Sequence, residues 1–203
     1  MSAGRAIFSA SDKRGYLELA EFLASCGWEL LGTGGSVRAL REHGLEAISA
    51  EEFTGAPEVF GGRVKTLHPK VFGGLLYRRG LQEDEEDAER HGIPPIDMVV
   101  CNFYGFAATV REEDHTLASA QQHIDVGGPA MIRAAAKNFD AVLPLVDPDD
   151  YPAVRAALAE GGGDPAAVGI ELRRQLALKA FEVCAAYDAE IAAYLASDRV
   201  PLA

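Results

Sequence analysis

The sequence predicts an α/β fold with a mainly parallel central sheet flanked by helices, on the basis of three observations. Short apolar segments of strand length alternate along the chain with segments of helical character. Polar turns follow the first two of these strands, the second of them rich in glycine, where a parallel sheet commonly meets a ligand. The 203 residues, 48% of them hydrophobic, suffice for one substantial core. We therefore expect a single domain over residues 1–203.

The strands are predicted from apolar runs that are bounded by polar or glycine residues. They cover residues 6–8, 29–31, 96–101 and 141–146. Helix-like segments separate them, which is the pattern of strand-helix-strand units. Because such units make their strands parallel, the strand ends should share one edge of the sheet.

The helices of the first half are predicted from their start and stop signals. Ser11 and Asp12 are good N-cap residues for a first helix, and Gly27 is a typical terminator for it. A second helix should cover residues 36–43 and stop at Gly44.

Two further helices are predicted in the second half of the chain. Pro129 suits the first position of a helix that continues through Lys137. A long helix over residues 171–198 should pack against the rest of the domain. The acidic run at 83–87 is read as a solvated helix face or loop.

The overall charge limits the classes of partner. Thirty-one acidic residues against nineteen basic ones give a formal net charge of -12. This balance argues against nucleic acid or an anionic membrane as the main partner, so a phosphate ligand would need a local cationic patch. No apolar run reaches the roughly 18 residues of a spanning helix, and the start of the chain does not resemble a signal peptide, so we expect a cytoplasmic protein.

The metal-binding residues form no recognisable ligand set. The three cysteines, Cys26, Cys101 and Cys184, lie far apart without a C-x-x-C spacing. The five histidines show no H-x-x-x-H pair. We therefore assign no metal site.

The loop after the first strand, residues 9–13, is a candidate anion site. A helix N-terminus offers free N–H groups and about half a positive charge to an anion, and Lys13 would add a full charge. The alternative is that Ser11 only caps the helix and that Lys13 lies on the surface.

The loop after the second strand, residues 32–36, is a second candidate. Its sequence is close to the dinucleotide fingerprint G-x-G-x-x-G, but Val37 stands in place of the third glycine, and the G-K-[ST] ending of a P-loop is missing. Glycines there would still let the backbone approach an oxyanion closely. An ordinary tight turn is the alternative, but two such loops at one sheet edge together suggest one phosphate.

A third candidate, residues 61–70, brings Arg63, Lys65 and Lys70 into one short segment of an acidic chain. The chain has fourteen arginines and only five lysines, and Lys13, Lys65 and Lys137 are three of those five. Lysine can transfer protons where arginine cannot, so these positions are candidates for acid-base chemistry.

Seven motifs occur in this order along nearly the whole chain: SASDKRG, GTGGS, GGRVKTLHP, VVCNFYGF, IDVGG, RAAAKNF and RRQLALKAF. Together they resemble the IMP cyclohydrolase domain of the bifunctional purine-biosynthesis protein that also carries AICAR formyltransferase. The resemblance implies a three-layer methylglyoxal-synthase-like fold. It also implies ring closure of FAICAR to IMP and water, a reaction that moves no electrons and calls for no redox cofactor.

The resemblance also assigns residues. The positions that match the family's catalytic residues are Lys65, Tyr104, Asp125 and Lys137. The positions that match its nucleotide-binding segments are Ser9, Ser11, Asp12, Lys13, Thr33, Gly34, Gly35, Ser36, Arg63, Val64, Lys65, Thr66, Cys101, Asn102, Asp125, Val126 and Gly127. We expect Asp125 to orient or deprotonate the carboxamide, Lys137 to shuttle a proton, and Lys65 with Tyr104 to stabilise the oxygen.

The chain departs from the family in three respects. Gln122 and His123 stand where an acidic residue and a small polar one are usual, and Gly105 replaces a proline. The AICAR formyltransferase domain is expected to be absent, so that a separate formyltransferase would supply FAICAR. The oligomeric state, including a homodimer, is left open.

Two alternative functions share the fold. Methylglyoxal synthase has a characteristic G-G-D-Q-Q segment, and GGRVKTLHP stands in the corresponding region here. A non-catalytic nucleotide-binding regulatory domain would keep the phosphate loops and lose the proton-transfer groups. The presence of all four catalytic candidates disfavours it.

Overall fold

The computed structural model describes residues 3–103, 105–111 and 114–197. Within these ranges the chain forms one sheet, whose strands are Arg5–Ala10 (β1), Glu29–Gly32 (β2), Ile48–Ser49 (β3), Met98–Asn102 (β4) and Leu143–Leu145 (β5). The strand order is β3-β2-β1-β4-β5, and every neighbouring pair is parallel. The predicted α/β fold with a parallel sheet is confirmed. The short edge strand β3 was not predicted.

The helices are Tyr16–Ser25 (α1), Gly34–Glu42 (α2), Ala50–Thr54 (α3), Pro69–Leu76 (α4), Gln82–Arg90 (α5), Phe106–Thr109 (α6), Leu117–Gln122 (α7), Gly127–Lys137 (α8), Tyr151–Glu160 (α9) and Ile170–Leu195 (α10). Short 3₁₀ turns lie at Phe60–Gly62, Pro148–Asp150 and Pro165–Ala167. Among the helices of the described ranges, none has the length and apolar character that crossing a bilayer requires.

Helices cover both faces of the sheet, because successive side chains of a strand point to opposite sides. Phe8 of β1 packs in a core with side chains of α1 and α9, whereas its neighbour Ile7 packs in a second core with α4, α8 and α10. Phe8 and Ile7 are at most 1% exposed. The result is the expected three-layer arrangement.

The first helix begins later than its capping signals predicted. The N–H groups of Ser11 and Asp12 both donate to the side-chain oxygen of Asn102 at 2.8 Å, and α1 starts only after Gly15, which has a φ of 64°. The prediction of a cap at Ser11 or Asp12 was wrong because a side chain from β4 satisfies this part of the backbone. The predicted end is confirmed, since the helix closes at Ser25 and Gly27 has a φ of 80°.

Helix α8 begins at Gly127, two residues before the proline that was expected to open it. It continues without interruption to Lys137. Gly127 and Gly128 lie around one cleft with residues at the carboxyl ends of β1, β2 and β4, and the C-terminus of α8 lies about 15 Å away along the axis. This geometry separates the residues at the start of α8 from Lys137 at its end.

Candidate active site

A cleft of about 990 Å³ opens at the carboxyl ends of β1, β2 and β4. Fourteen of the predicted substrate-binding residues line it, and they come from all of the predicted loops. They are Ser9, Ser11, Lys13, Thr33, Gly34, Gly35, Ser36, Arg63, Lys65, Thr66, Asn102, Asp125, Val126 and Gly127. The structure thus brings segments that are distant in sequence to one hollow.

Two lysines converge on the N-terminus of α2. A Cβ placed on Gly35 would lie 3.9 Å from Nζ of Lys13, and one placed on Gly34 would lie 3.6 Å from Nζ of Lys65. The helix start adds N–H groups and a partial positive charge to these two cations. This end of the cleft is therefore suited to an anion with several negative oxygens.

Side-chain hydrogen bonds hold the two anion loops together. The hydroxyl of Thr33 donates to that of Ser9 at 2.8 Å, and the buried hydroxyl of Ser36 accepts the N–H of Ala10 at 3.1 Å. Tyr16 donates its own hydroxyl to the carbonyl oxygen of Ser36 at 2.9 Å. The loops are fixed before any ligand arrives, which lowers the entropic cost of binding.

Asn102 braces the loop after β1. Its Oδ1 accepts hydrogen bonds from the N–H and the hydroxyl of Ser11 and from the N–H of Asp12, while its Nδ2 donates to the carbonyl oxygen of Asp12 at 2.9 Å. Both ends of the side-chain amide are therefore engaged by the protein. The geometry indicates that Asn102 shapes the ligand loop.

Three predicted binding residues do not line the cleft. The carboxylate of Asp12 turns outward to Arg14 at 2.8 Å, and Val64 pairs with Val59 across a short hairpin. Cys101 is buried beneath the cleft, where burial first and the nearby Asp125 second raise the pKa of its thiol. Its side chain is therefore a neutral packing group.

Asp125 lines the same cleft, just before α8. Its Oδ1 accepts the N–H of Gly128 at 3.0 Å, and its own N–H donates to the hydroxyl of Tyr187 at 2.7 Å. The hydroxyl of the buried Thr66 lies 3.0 Å from the position of a Cβ on Gly127. A carboxylate and the start of a helix thus face the same space.

The three cations of the 61–70 segment separate in space. Arg63 and Lys65 line the cleft, and Lys65 forms an ion pair with Glu58 at 3.2 Å. Lys70 points away, since its Nζ donates to the carbonyl oxygen of Phe53 at 2.6 Å and lies 4.9 Å from the centre of that ring. Only two of the three cations can therefore contact a ligand in the cleft.

Two predicted catalytic residues are not placed in the cleft. Tyr104 lies outside the described residues. Lys137 is exposed in the last turn of α8 and does not line the cleft, because the unbroken helix carries it about 15 Å from Gly127. The roles expected for Tyr104 and Lys137 stay predictions.

Several lining residues were missed as ligand contacts, and those with polar side chains are Gln121, Gln122 and His123. Nδ1 of His123 lies 2.8 Å from the carbonyl oxygen of Ser119. Because a carbonyl can only accept, this nitrogen carries the proton, and Nε2 of the neutral ring has a lone pair that can accept a hydrogen bond. The only sequence signal was that the Gln122-His123 pair departs from the family pattern.

Tyr187 was also missed. It reaches the site from α10, 62 residues away in sequence, and its hydroxyl accepts the N–H of Asp125. Burial raises the pKa of this phenol, so it is neutral at physiological pH. No local pattern distinguishes it from the other apolar-face residues of a long helix.

Comparison with known proteins places this site in a family. A family model described as "MGS-like domain" matches residues 15–130, more than half of the chain and most of the cleft. The chain belongs to the MGS-like domain family. A second model, described as "AICARFT/IMPCHase bienzyme", matches residues 135–202, beyond the MGS-like region.

Several curated relatives of this MGS-like chain carry the name "Bifunctional purine biosynthesis protein PurH". The protein of Lactiplantibacillus plantarum is 49% identical over 97% of this chain, and that of Sorangium cellulosum is 50% identical over 95%. The chain spans only 38% and 36% of the length of these two relatives, respectively.

A solved structure, titled "Crystal structure of ForH", covers nearly the same extent. It has a TM-score of 0.85 and 43% sequence identity to this chain, and the match covers 93% of this chain and 95% of that one. The MGS-like family match and the parallel sheet flanked by helices together confirm the methylglyoxal-synthase-like fold expected from the sequence motifs.

Proposed function

We propose that this protein is an IMP cyclohydrolase, which closes the second ring of FAICAR to give IMP and water at the end of purine biosynthesis. The observation that carries the proposal is the convergence of Lys13 and Lys65 on the start of α2, in the same cleft as Asp125. Similarity to purine-biosynthesis proteins over at least 95% of this chain supports it.

The lysine-rich end of the cleft is assigned to the ribonucleotide phosphate. Lys13 supplies a point charge, and the first N–H groups of α2 supply oriented donors. Gly34 has a φ of 42° and Gly35 is exposed, so the backbone there can come close to phosphate oxygens. Anchoring this end leaves the imidazole part of the substrate near the start of α8.

The aspartate end is assigned to ring closure. The carboxamide nitrogen attacks the formyl carbon of the same molecule, one N–C bond forms, and the carbinolamine then loses its hydroxyl as water to leave a C=N bond. Asp125 uses Oδ1 to accept from Gly128, which leaves Oδ2 to orient the carboxamide or take its proton.

The developing negative charge on the formyl oxygen needs donors. Lys65 and the N–H groups at the start of α8 lie on the same cleft as Asp125, and the helix dipole there favours negative charge. Much of the rate would come from holding one folded conformer of the substrate, since both reacting groups belong to one molecule.

The contributions of Tyr104 and Lys137 rest on the resemblance alone. In this proposal Tyr104 assists Lys65 at the oxygen and Lys137 returns a proton. The exposed position of Lys137 makes it the member of the set for which mutagenesis is most informative.

The partners belong to the same proposal. An AICAR formyltransferase activity would supply FAICAR, and the cytoplasm would be the compartment of a biosynthetic enzyme of this kind. We also propose a homodimer, which is supported by exposed apolar side chains on α10 such as Leu178 and Phe181, 54% and 40% exposed. Light scattering of the purified protein gives its mass directly.

The deciding experiment is to incubate the purified chain with FAICAR and follow the absorbance of IMP. Turnover that is abolished by Asp125→Asn supports the proposal. A folded protein that binds IMP without turning over FAICAR would instead be a nucleotide-binding regulatory domain. Release of phosphate from a triose phosphate would indicate methylglyoxal synthase.

A further inference from the structure

Glu58 forms an ion pair with the proposed catalytic Lys65 from the other end of one short loop. Oε1 of Glu58 lies 3.2 Å from Nζ of Lys65. Between them, Val59 and Val64 form a small hairpin through backbone hydrogen bonds of 3.2 and 3.4 Å. The loop thus fixes the distance between the carboxylate and the ammonium group.

The pair is packed across the backbone of Gly62. This residue has a φ of 92°, and a Cβ on it would collide with Oε1 of Glu58 and lie 2.8 Å from Cε of Lys65. Phe60 and Gly61 also have positive φ values, of 56° and 62°. Phe60 is a non-glycine residue, and such residues rarely adopt a positive φ because the conformation is strained. The loop keeps this strained backbone, and its shape lets Glu58 and Lys65 meet.

The position of Lys65 explains why it needs a counter-charge. Its Nζ lies near Gly34, at the start of α2, where the helix dipole is positive and Lys13 adds a further cation nearby. Without a counter-charge Lys65 would be repelled from this place. Glu58, although not itself a lining residue, supplies the negative charge that holds it there.

We propose that Glu58 is a positioning residue for Lys65, and that its carboxylate competes with the anionic nucleotide for the Lys65 ammonium group. This inference rests on the proposed function in one respect, namely that ring closure of FAICAR is the reaction in which Lys65 takes part. Glu58 would hold Lys65 in its working geometry while weakening the attraction between the cleft and the ligand. Removal of its charge should therefore affect binding and turnover in opposite directions.

The test is the variant Glu58→Gln, which keeps the shape and removes the charge. We expect the dissociation constant for IMP, measured by calorimetry, to fall about fivefold, because a partly exposed ion pair no longer competes. In the FAICAR assay KM should fall as well, while kcat falls about tenfold because Lys65 is less well held. A purely structural role would leave KM unchanged or raise it.

The control is Glu160→Gln, at the exposed end of α9 and outside the cleft, which makes the same change in net charge. It should leave both constants at their wild-type values. The dissociation constant for inorganic phosphate is measured for the same proteins, because phosphate is a ligand that requires only the cations of the cleft. Both variants should melt close to wild type, since single exposed ion pairs contribute little to stability.

The outcomes separate this inference from the proposed function. If wild type binds IMP or phosphate but does not convert FAICAR, the proposed function fails, and tighter ligand binding by Glu58→Gln still supports the competition by Glu58. If wild type converts FAICAR but Glu58→Gln binds IMP no more tightly, or loses affinity, Glu58 does not compete for Lys65 and the inference is overturned.

Discussion

The hydroxyl of Tyr187 accepts the backbone N–H of Asp125 at 2.7 Å, so a helix from the end of the chain holds the loop that carries the proposed base. The same hydroxyl lies 3.5 Å from the carbonyl oxygen of His123. The tyrosine ring packs against Phe103 with 5.2 Å between ring centres. The ring of Tyr187 thus packs in the apolar interior, and its hydroxyl restrains the loop of Asp125.

The variant Tyr187→Phe should keep the packing and lose the loop restraint. Leaving the N–H of Asp125 without its acceptor costs about 1–3 kcal/mol, so the melting temperature should fall by several degrees. We expect kcat for FAICAR to fall with it. The control is Tyr194→Phe on the same helix, because the buried Tyr194 hydroxyl has no hydrogen-bond partner among the described residues. Equal behaviour of the two variants would show that the hydroxyl of Tyr187 is not needed.

The variant Asp125→Asn should separate chemistry from structure. An asparagine oxygen can still accept the N–H of Gly128, so the start of α8 should keep its form. Loss of the carboxylate as a base should lower kcat by about 10²–10⁴. The dissociation constant for IMP should change little. Retention of full kcat would remove Asp125 from the proton transfer.

Lys13 and Lys70 should respond differently to loss of charge, although both belong to motifs that suggested an anion site. Lys13→Met should raise KM for FAICAR about 10- to 100-fold, because a charged contact to phosphate is lost. Lys70→Met should leave KM unchanged and lower the melting temperature, since its ammonium group is held by Phe53. A matching rise in KM for both would contradict the assignment of the cleft.

The variant Lys137→Arg tests the role that rests on resemblance alone. Arginine keeps the positive charge but cannot give up a proton at neutral pH, so we expect at least a tenfold loss of kcat with IMP affinity preserved. Steady-state kinetics and calorimetry on the same preparation measure both quantities. Wild-type kcat would take Lys137 out of the mechanism, in agreement with its exposed position at the end of α8.

Stability should depend on pH through Asp84. Its carboxylate accepts hydrogen bonds from Arg78, at 2.7 Å from the backbone N–H and at 2.9 and 2.7 Å from the guanidinium, and these lower its pKa to about 2. A lowered folded pKa means that the stabilisation is complete above the unfolded value of about 3.9 and is lost as the pH falls through about 2.

The comparison of wild type with Asp84→Asn by thermal unfolding measures this effect. The difference in melting temperature should be constant from about pH 5 to pH 8 and should shrink between about pH 4 and pH 2. A difference that is the same at all of these pH values would mean that the charge of Asp84 contributes nothing.

Much of the site could be predicted from sequence because its anion loops are local structures. Glycines next to hydroxyl residues, placed directly after apolar strands, suffice to predict where a parallel sheet binds an anion. Lys13 was found from its place in the loop after the first strand, whereas Lys65 was found from the cationic segment 61–70, and the structure brings both to the start of α2. Strand positions could be predicted from apolar runs because these runs are local patterns as well.

The errors came from contacts between distant parts of the chain. Ser11 has the signature of a helix cap, yet Asn102, 91 residues away, accepts its N–H and delays the helix. Lys70 has the same charge as Lys65, yet packing against Phe53 turns it from the cleft. Such choices depend on which partner the fold places within hydrogen-bonding reach.

The sequence by itself determined the fold class, the order of the strands along the chain and the chemical types of residue at the sheet edge. Only the tertiary structure decided which of those residues face one another, because the strands are brought side by side by packing of the two cores. The tertiary structure decided, for example, that Tyr187 restrains Asp125 and that Glu58 forms an ion pair with Lys65. Short-range patterns encode neighbours along a helix or strand, whereas the contacts that orient a site exist only once the chain has closed on itself.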